Sequence, residues 1–268
     1  MIGRVTVFLA AALFASALAA QESPWANAPL PPPRPANLAP VDPVGDPPQP
    51  PPPRPAAADD AIAASDVIDE ELASASARRR PEFDRNAALA CEQALRAIGG
   101  RFDIVEPIGK DDAHCGAPRG LRLSEAAGVR LEPAIETRCP VALALAKWTR
   151  DVVKPMARLY LDDEPVAMMT VGDYDCRWTR GGQGSPSFSQ HAFANAVDIG
   201  GVSFAGRAPV AIAPPPARAG RENLFQAAIR GGACVYFTTV LGPMTNAAHV
   251  DHFHFDMAER GGGFRMCQ

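Results

Sequence analysis

Between Asn86 and Ile98 the apolar positions Cys91, Leu95 and Ile98 recur at i, i+4 and i+7, the spacing of one face of an α-helix. Gly99-Gly100 ends that pattern, because glycine readily takes the left-handed conformation that closes a helix. Phe102–Val105, Leu121–Leu123 and Val129–Leu131 are short runs broken by Gly and Pro, and they are predicted as strands. Pro140–Leu159 carries Val141, Leu143, Leu145, Trp148 and Val152 at loosely helical intervals, with Pro140 suited to a first turn that needs no amide donor. Val166–Val171 and Ala196–Val202 alternate or run apolar as strands, and Val210–Ile212 reads as another. Glu222–Ile229 is a predicted helix closed by Gly231-Gly232. His252–Met257 is a predicted strand with Phe253, Phe255 and Met257 on one face. Helices and strands mix without a regular βα alternation. The expected fold is therefore α+β, a single domain with a mainly antiparallel sheet and flanking helices.

The first 80 residues carry no pattern of this kind. Met1–Ala20 has one basic residue, Arg4, then an apolar run from Val5 to Leu13 and small residues ending at Ala19-Ala20. That is the layout of a secretory signal peptide cleaved after Ala19 or Ala20. An uncleaved anchor is the competing reading, against which stands an apolar stretch short of the ~20 residues that span a bilayer. Residues 21–80 are predicted to be a disordered Pro-rich linker, with Pro-Pro-Pro-Arg-Pro at 31–35 and again at 51–55. Proline fixes φ and removes donors, so the stretch reads as an extended spacer, in preference to a ligand for a proline-recognition domain. The folded domain is expected over residues 81–268.

Charge narrows the partners. The chain has 26 Lys and Arg against 30 Asp and Glu, and such a surface gives no electrostatic reason to bind nucleic acid or an anionic membrane. No stable membrane insertion is expected once the signal is removed, and the oligomeric state stays open. Cys91, Cys115, Cys139, Cys176, Cys234 and Cys267 contain no C-x-x-C pair, which weighs against a thiolate metal site. An even count in an exported chain predicts three disulfides, with neighbours in sequence paired as the first expectation. A secreted or periplasmic location follows from the same features.

Chemistry concentrates in two segments. Three of the five histidines lie in His249-Val250-Asp251-His252-Phe253-His254, and a fourth opens His191-Ala192-Phe193-Ala194-Asn195-Ala196-Val197-Asp198. In a strand His252 and His254 share one side while Phe253 and Phe255 face a core. His191, Asp198 and His254 would supply two imidazoles and a carboxylate, leaving a fourth tetrahedral position open on a zinc ion. Asp251 is the expected acid/base, although strict alternation turns it away from His254. His114 reads as an ordinary loop residue, and the roles of His249 and Asp256 are left open.

Ser189-Gln190-His191 followed by Ala196 and Asp198 resembles the S-x-H-x-x-G-x-A-x-D motif of the zinc D-Ala-D-Ala carboxypeptidases, grouped with lysostaphin and sonic hedgehog. Asp251-His252-Phe253-His254 is similar to that superfamily's second motif. The wider stretch from Ala90 to Cys267 resembles still more closely the extensin-like C-terminal domain of bacterial envelope proteins. It does so through Gly172–Arg177, His191–Ala196, Val240–Pro243 and His249–Met257. The resemblance implies His191, Asp198 and His254 as zinc ligands, Asp251 as acid/base and His252 as a stabiliser of the oxyanion. It also implies Ser189 as a substrate contact and Arg177 as the arginine that polarises the carbonyl. One departure is Ala194, where the motif has glycine, a change that is either harmless packing or a narrowing of the cleft. The expected function is that of an exported zinc peptidase acting on peptidoglycan peptides, D-amino-acid stems or cross-bridges. The alternative is a zinc-containing protein that binds the wall, or supports the envelope, without turnover.

Overall fold

The structure, a computed structural model, describes residues 80–111, 114–179, 187–216 and 220–268, all within a compact unit spanning Ala58–Gln268. The signal peptide and the Pro-rich linker expected before residue 80 lie outside the described residues. Helix α1 (Arg85–Ala97) begins where Asp84 accepts the amides of Asn86 (2.7 Å) and Ala87 (3.0 Å), satisfying donors that the first turn leaves without partners. It turns Leu95 fully inward, packs Cys91 and Ile98 against the core, and gives way to left-handed Gly99, as the pattern predicts.

Strands β1 (Arg101–Val105), β2 (Gly120–Ala126) and β3 (Val129–Thr137) then form an antiparallel meander. The next strand, β4 (Pro165–Gly172), runs parallel to β3, which requires a crossover. A helical run supplies it: α2 (Cys139–Trp148), a π turn (Thr149–Val153) and α3 (Lys154–Leu161). The sequence predicts one regular helix here, and the difference has a physical cause. Pro155 has no amide to offer the preceding turn and its ring crowds the carbonyl there, so the helix widens just before it.

Strands β5 (Ala196–Phe204), β6 (Val210–Ala211), β7 (Thr239–Leu241), β8 (Phe253–Asp256) and β9 (Met266–Cys267) complete the sheet. Its order is β1-β2-β3-β4-β5-β8-β7-β9, with β6 paired to β5. Only β3·β4 and β7·β9 are parallel among the described pairs, so the α+β expectation with a mainly antiparallel sheet holds. Helix α4 (Arg221–Ala233) runs straight through Gly231-Gly232 instead of ending there. A Cβ on Gly232 would sit 2.5 Å from Cγ1 of Val152 in the π turn. These glycines thus allow close packing and do not stop the helix.

The helices cover one face of the sheet in the main apolar core, where Phe255 stacks on Phe237 (4.7 Å between centroids) and meets Trp148 edge-on (5.1 Å). Three disulfides brace this unit: Cys91–Cys139, Cys115–Cys176 and Cys234–Cys267. Only the last joins sequence neighbours, so the neighbour pairing is corrected for the other four cysteines. Cys91 lies on the face of α1 that packs on α2, and Cys139 begins α2. The meander between these helices in sequence does not separate them in space. The bridges point to an oxidising, extracellular setting. Among the described residues, no helix is long and apolar enough to cross a membrane.

Candidate metal centre

Register brings the site together. Gly172 of β4 lies opposite Asp198 of β5, Asp198 opposite His254 of β8, and His254 opposite Leu241 of β7. Alternation sends Val197, Ile199, Phe253 and Phe255 into the core, and therefore turns Asp198, His254 and Asp256 to the other face. A Cβ on Gly172 would lie 2.3 Å from Asp198 Oδ2, so glycine there makes room for the carboxylate. His191 arrives from a 3-10 turn, Gln190–Phe193, whose start is capped by Ser189 Oγ accepting the His191 amide at 3.4 Å.

Three atoms then converge. His191 Nε2 is 3.1 Å from His254 Nδ1 and 3.2 Å from Asp198 Oδ1, and His254 Nδ1 is 2.9 Å from the same oxygen. Zinc bonds of about 2.0–2.1 Å at tetrahedral angles put neighbouring donors about 3.3 Å apart. The triangle therefore has nearly the size that an ion of this class needs. The outer nitrogens are already taken: His191 Nδ1 meets the carbonyl of Asp173 (2.6 Å), and His254 Nε2 meets Asp256 Oδ2 (3.1 Å). Each partner accepts a ring N–H, which leaves the inner nitrogen of each neutral ring as a lone pair. Two lone pairs and a carboxylate facing one another repel unless a proton or a metal ion lies between them. His191, Asp198 and His254 thus form a buried group that could hold a metal ion, and this donor set suits zinc or a neighbouring first-row ion.

Electrostatics agree with that reading. Burial alone would raise the Asp198 carboxyl, but the rings of His191 and His254 more than offset it and hold the group well below the usual carboxylate range. Burial alone would lower the ring of His254, and Asp198 and Asp256 overcome it in the opposite direction. The position is built for positive charge.

The centre opens into a cleft of about 1020 Å³, which Ser189, Arg177, His249, His252 and Arg260 also line. His252 Nε2 reaches to 3.9 Å from Asp198 Oδ2, placing that ring beside the centre. Asp251 is elsewhere: its side chain is 81% exposed and meets the centre only through His252, whose Nδ1 lies 2.9 Å from its Oδ1. Arg177 lies in the cleft wall with its Nε 2.8 Å from Asp175 Oδ2. His249 donates its Nδ1–H to Asn246 Oδ1 (2.8 Å), and burial, with the other histidines beside it, pushes it down to about 4.

Of the two groups that hold the ligand rings, the sequence reading left the role of Asp256 open and did not name the other. Asp256 was visible in principle, because it follows His254 by two in the same strand. The Asp173 carbonyl, a backbone group, has no signature of its own. Ala194 adopts a left-handed φ of 50° at the position where the resembled motif has glycine. It is fully buried and does not line the cleft, so its cost is backbone strain and the passage is not narrowed.

No curated protein and no solved structure matches the chain significantly. A family model described as "Extensin-like protein C-terminus" matches residues 89–268. That span takes in α1 from Leu89 onward, the other helices, the sheet, all three disulfides and every residue of the centre, and the chain belongs to this extensin-like C-terminal family.

Proposed function

We propose that this chain is an exported zinc-dependent peptidase that acts on the stem or cross-bridge peptides of peptidoglycan. The observation that carries the reading is the convergence of His191 Nε2, Asp198 Oδ1 and His254 Nδ1 at the floor of an open cleft. The resemblance of the Ser189–Asp198 and Asp251–His254 segments to the zinc D-Ala-D-Ala carboxypeptidase group supports it. So do the disulfides, which fit a compartment where that substrate is found. A zinc ion in this site would act as a Lewis acid toward a peptide carbonyl and lower the pKa of a water molecule.

The chain's own residues divide the remaining work. Asp251 accepts the Nδ1 proton of His252 and fixes its tautomer, so His252 Nε2 can take a proton from water and return it to the departing amine. The proton role that the resemblance gives to Asp251 thus runs through His252, because the Asp251 carboxylate faces solvent. Arg177, in the cleft wall, would offer its charge to the carbonyl oxygen, and Ser189 lines the same cleft while its Oγ caps the turn that carries His191. The signal peptide would export the domain, and the Pro-rich linker would let it reach the wall.

The exposure of Asp251 also favours a second reading, a metal-holding module that binds the wall without turnover. One preparation decides between them. Metal content and muropeptide digestion are measured together on the mature protein. Stoichiometric zinc with trimmed peptides supports the peptidase; zinc with cosedimentation on sacculi and no trimming supports the module. Absence of zinc removes both.

A further inference from the structure

Among the described residues two arginines line the cleft, and their electrostatic states differ. Arg177 is met by Asp175 within its own wall, at 2.8 Å. Arg260 is half-buried and has neutral partners: one terminal nitrogen donates to the carbonyl of Thr238 (3.2 Å) and the other to Thr239 Oγ1 (2.7 Å). It makes no ion pair among the described residues. Glu82 and Glu259 border a separate cavity that Arg260 also touches, and neither carboxylate pairs with it. Asp256, in the same cleft, is committed to His254 Nε2 (3.1 Å) and to the amide of Ala258 (2.9 Å).

These contacts also place Arg260 relative to the centre. Thr239 of β7 sits opposite Asp256 of β8 in register, and its hydroxyl helps hold that carboxyl below its ordinary range. Asp256 in turn holds the ring of His254. A row of neighbouring groups, Arg260, Thr239, Asp256 and His254, therefore leads from the cleft wall to the centre. Two donors fix the guanidinium plane, and its remaining N–H groups have no carboxylate to meet. A fork held in place before binding loses little entropy when a planar anion arrives.

We propose that Arg260 is the anchor for a free carboxylate on the peptide bound in this cleft. The proposal rests on reading the cleft as a peptide site, and it adds a specificity determinant to that reading. The carboxylate could belong to the peptide's C-terminus or to an acidic residue within it. With Asp173 and Asp175 lining the cleft together with Arg177, Arg260 is, among the described residues, the arginine there whose charge no carboxylate meets.

The test uses the zinc-loaded mature protein and calorimetric binding of two peptide pairs. Acetyl-D-Ala-D-Ala is compared with its C-terminal amide, and acetyl-D-Glu-D-Ala-amide with acetyl-D-Gln-D-Ala-amide. The first pair reads a terminal carboxylate and the second a side-chain one. In at least one pair the acid should bind ~10-fold or more tightly, the scale of a charge-assisted hydrogen bond. Arg260→Gln should bring that pair to within ~2-fold at unchanged zinc content, since one charged donor supplies the preference, whereas Arg177→Gln should retain it.

A preference that survives Arg260→Gln, one that Arg177→Gln erases equally, or the absence of any preference overturns the anchor. Should Arg260→Gln fail to fold, Arg260→Lys keeps the charge but loses the fork and must still cut the preference several-fold. An undiminished preference in that variant also overturns it. Acid preference without cleavage keeps the anchor and sinks the peptidase; cleavage without preference does the reverse.

Discussion

Strands β5 and β8 each carry two kinds of chemistry, one on either face of the same sheet. On the helix side Val197, Ile199, Phe253 and Phe255 are almost completely buried in an apolar core. On the cleft side their immediate neighbours Asp198, His254 and Asp256 are nearly as buried, yet polar. The core face is self-sufficient, because its groups gain from contact with one another. The cleft face is not, because its inner nitrogens and carboxylate oxygen point at one another and call for a proton or a metal ion between them. One face holds the fold and the other could hold a metal ion. A substitution should then act on one property and largely spare the other.

The largest separation is expected at Asp198. Asp198→Ala removes one of three donors and should abolish stoichiometric zinc, read by metal analysis of the purified protein, while the disulfide-braced fold persists. Zinc retained at one equivalent would refute the assignment of the centre. Next comes Asp251→Asn, which leaves all three donors in place but weakens the hold on His252. Zinc should remain, and muropeptide hydrolysis should fall by ~10²–10⁴-fold, the usual scale for a lost acid/base. Full activity would move the proton role away from the Asp251–His252 pair. On the opposite face, Phe255→Ala should cost about 3–5 kcal/mol of stability in denaturant unfolding, the range for emptying a buried aromatic site. If it instead stripped the metal from folded protein, the two faces would not be separable.

How much of this was legible beforehand follows the range of the signal. Alternation over Phe253-His254-Phe255 is local, so the partition of β8 between core and cleft could be read directly. The cluster of four histidines in two segments marked the centre for the same reason. Signals that depend on which segments meet were not available. Cys91 pairs with Cys139 because α1 lies on α2, a fact that nothing near either cysteine encodes. Gly231-Gly232 looked like a stop because glycine usually closes a helix, whereas Val152 needed the space. Pro155 was visible, but the π turn that accommodates it depends on the packing around the run. Asp251 matched a motif position, and only the backbone path before β8 showed that its carboxylate faces solvent.

The smallest effect sharpens the comparison at the hinge between the two faces. Ala194 ends the turn that carries His191 and stands two residues before β5, in a left-handed conformation that costs an alanine roughly 1–2 kcal/mol. Glycine would relieve that strain. It would also delete a buried methyl worth about 0.8 kcal/mol and add flexibility to the unfolded chain worth roughly 0.5–1 kcal/mol. The three contributions nearly cancel, so Ala194→Gly should change unfolding stability by less than about 1 kcal/mol and leave zinc affinity as it was. Because the Ala194 carbonyl accepts both the Arg138 amide (2.8 Å) and Thr137 Oγ1 (3.1 Å), the turn is held by its backbone whichever residue occupies the position. A clear loss of zinc affinity in this variant, measured by competition with a chelator, would show that the methyl group itself helps to aim His191, and that the core face reaches further into the centre than its separate chemistry implies.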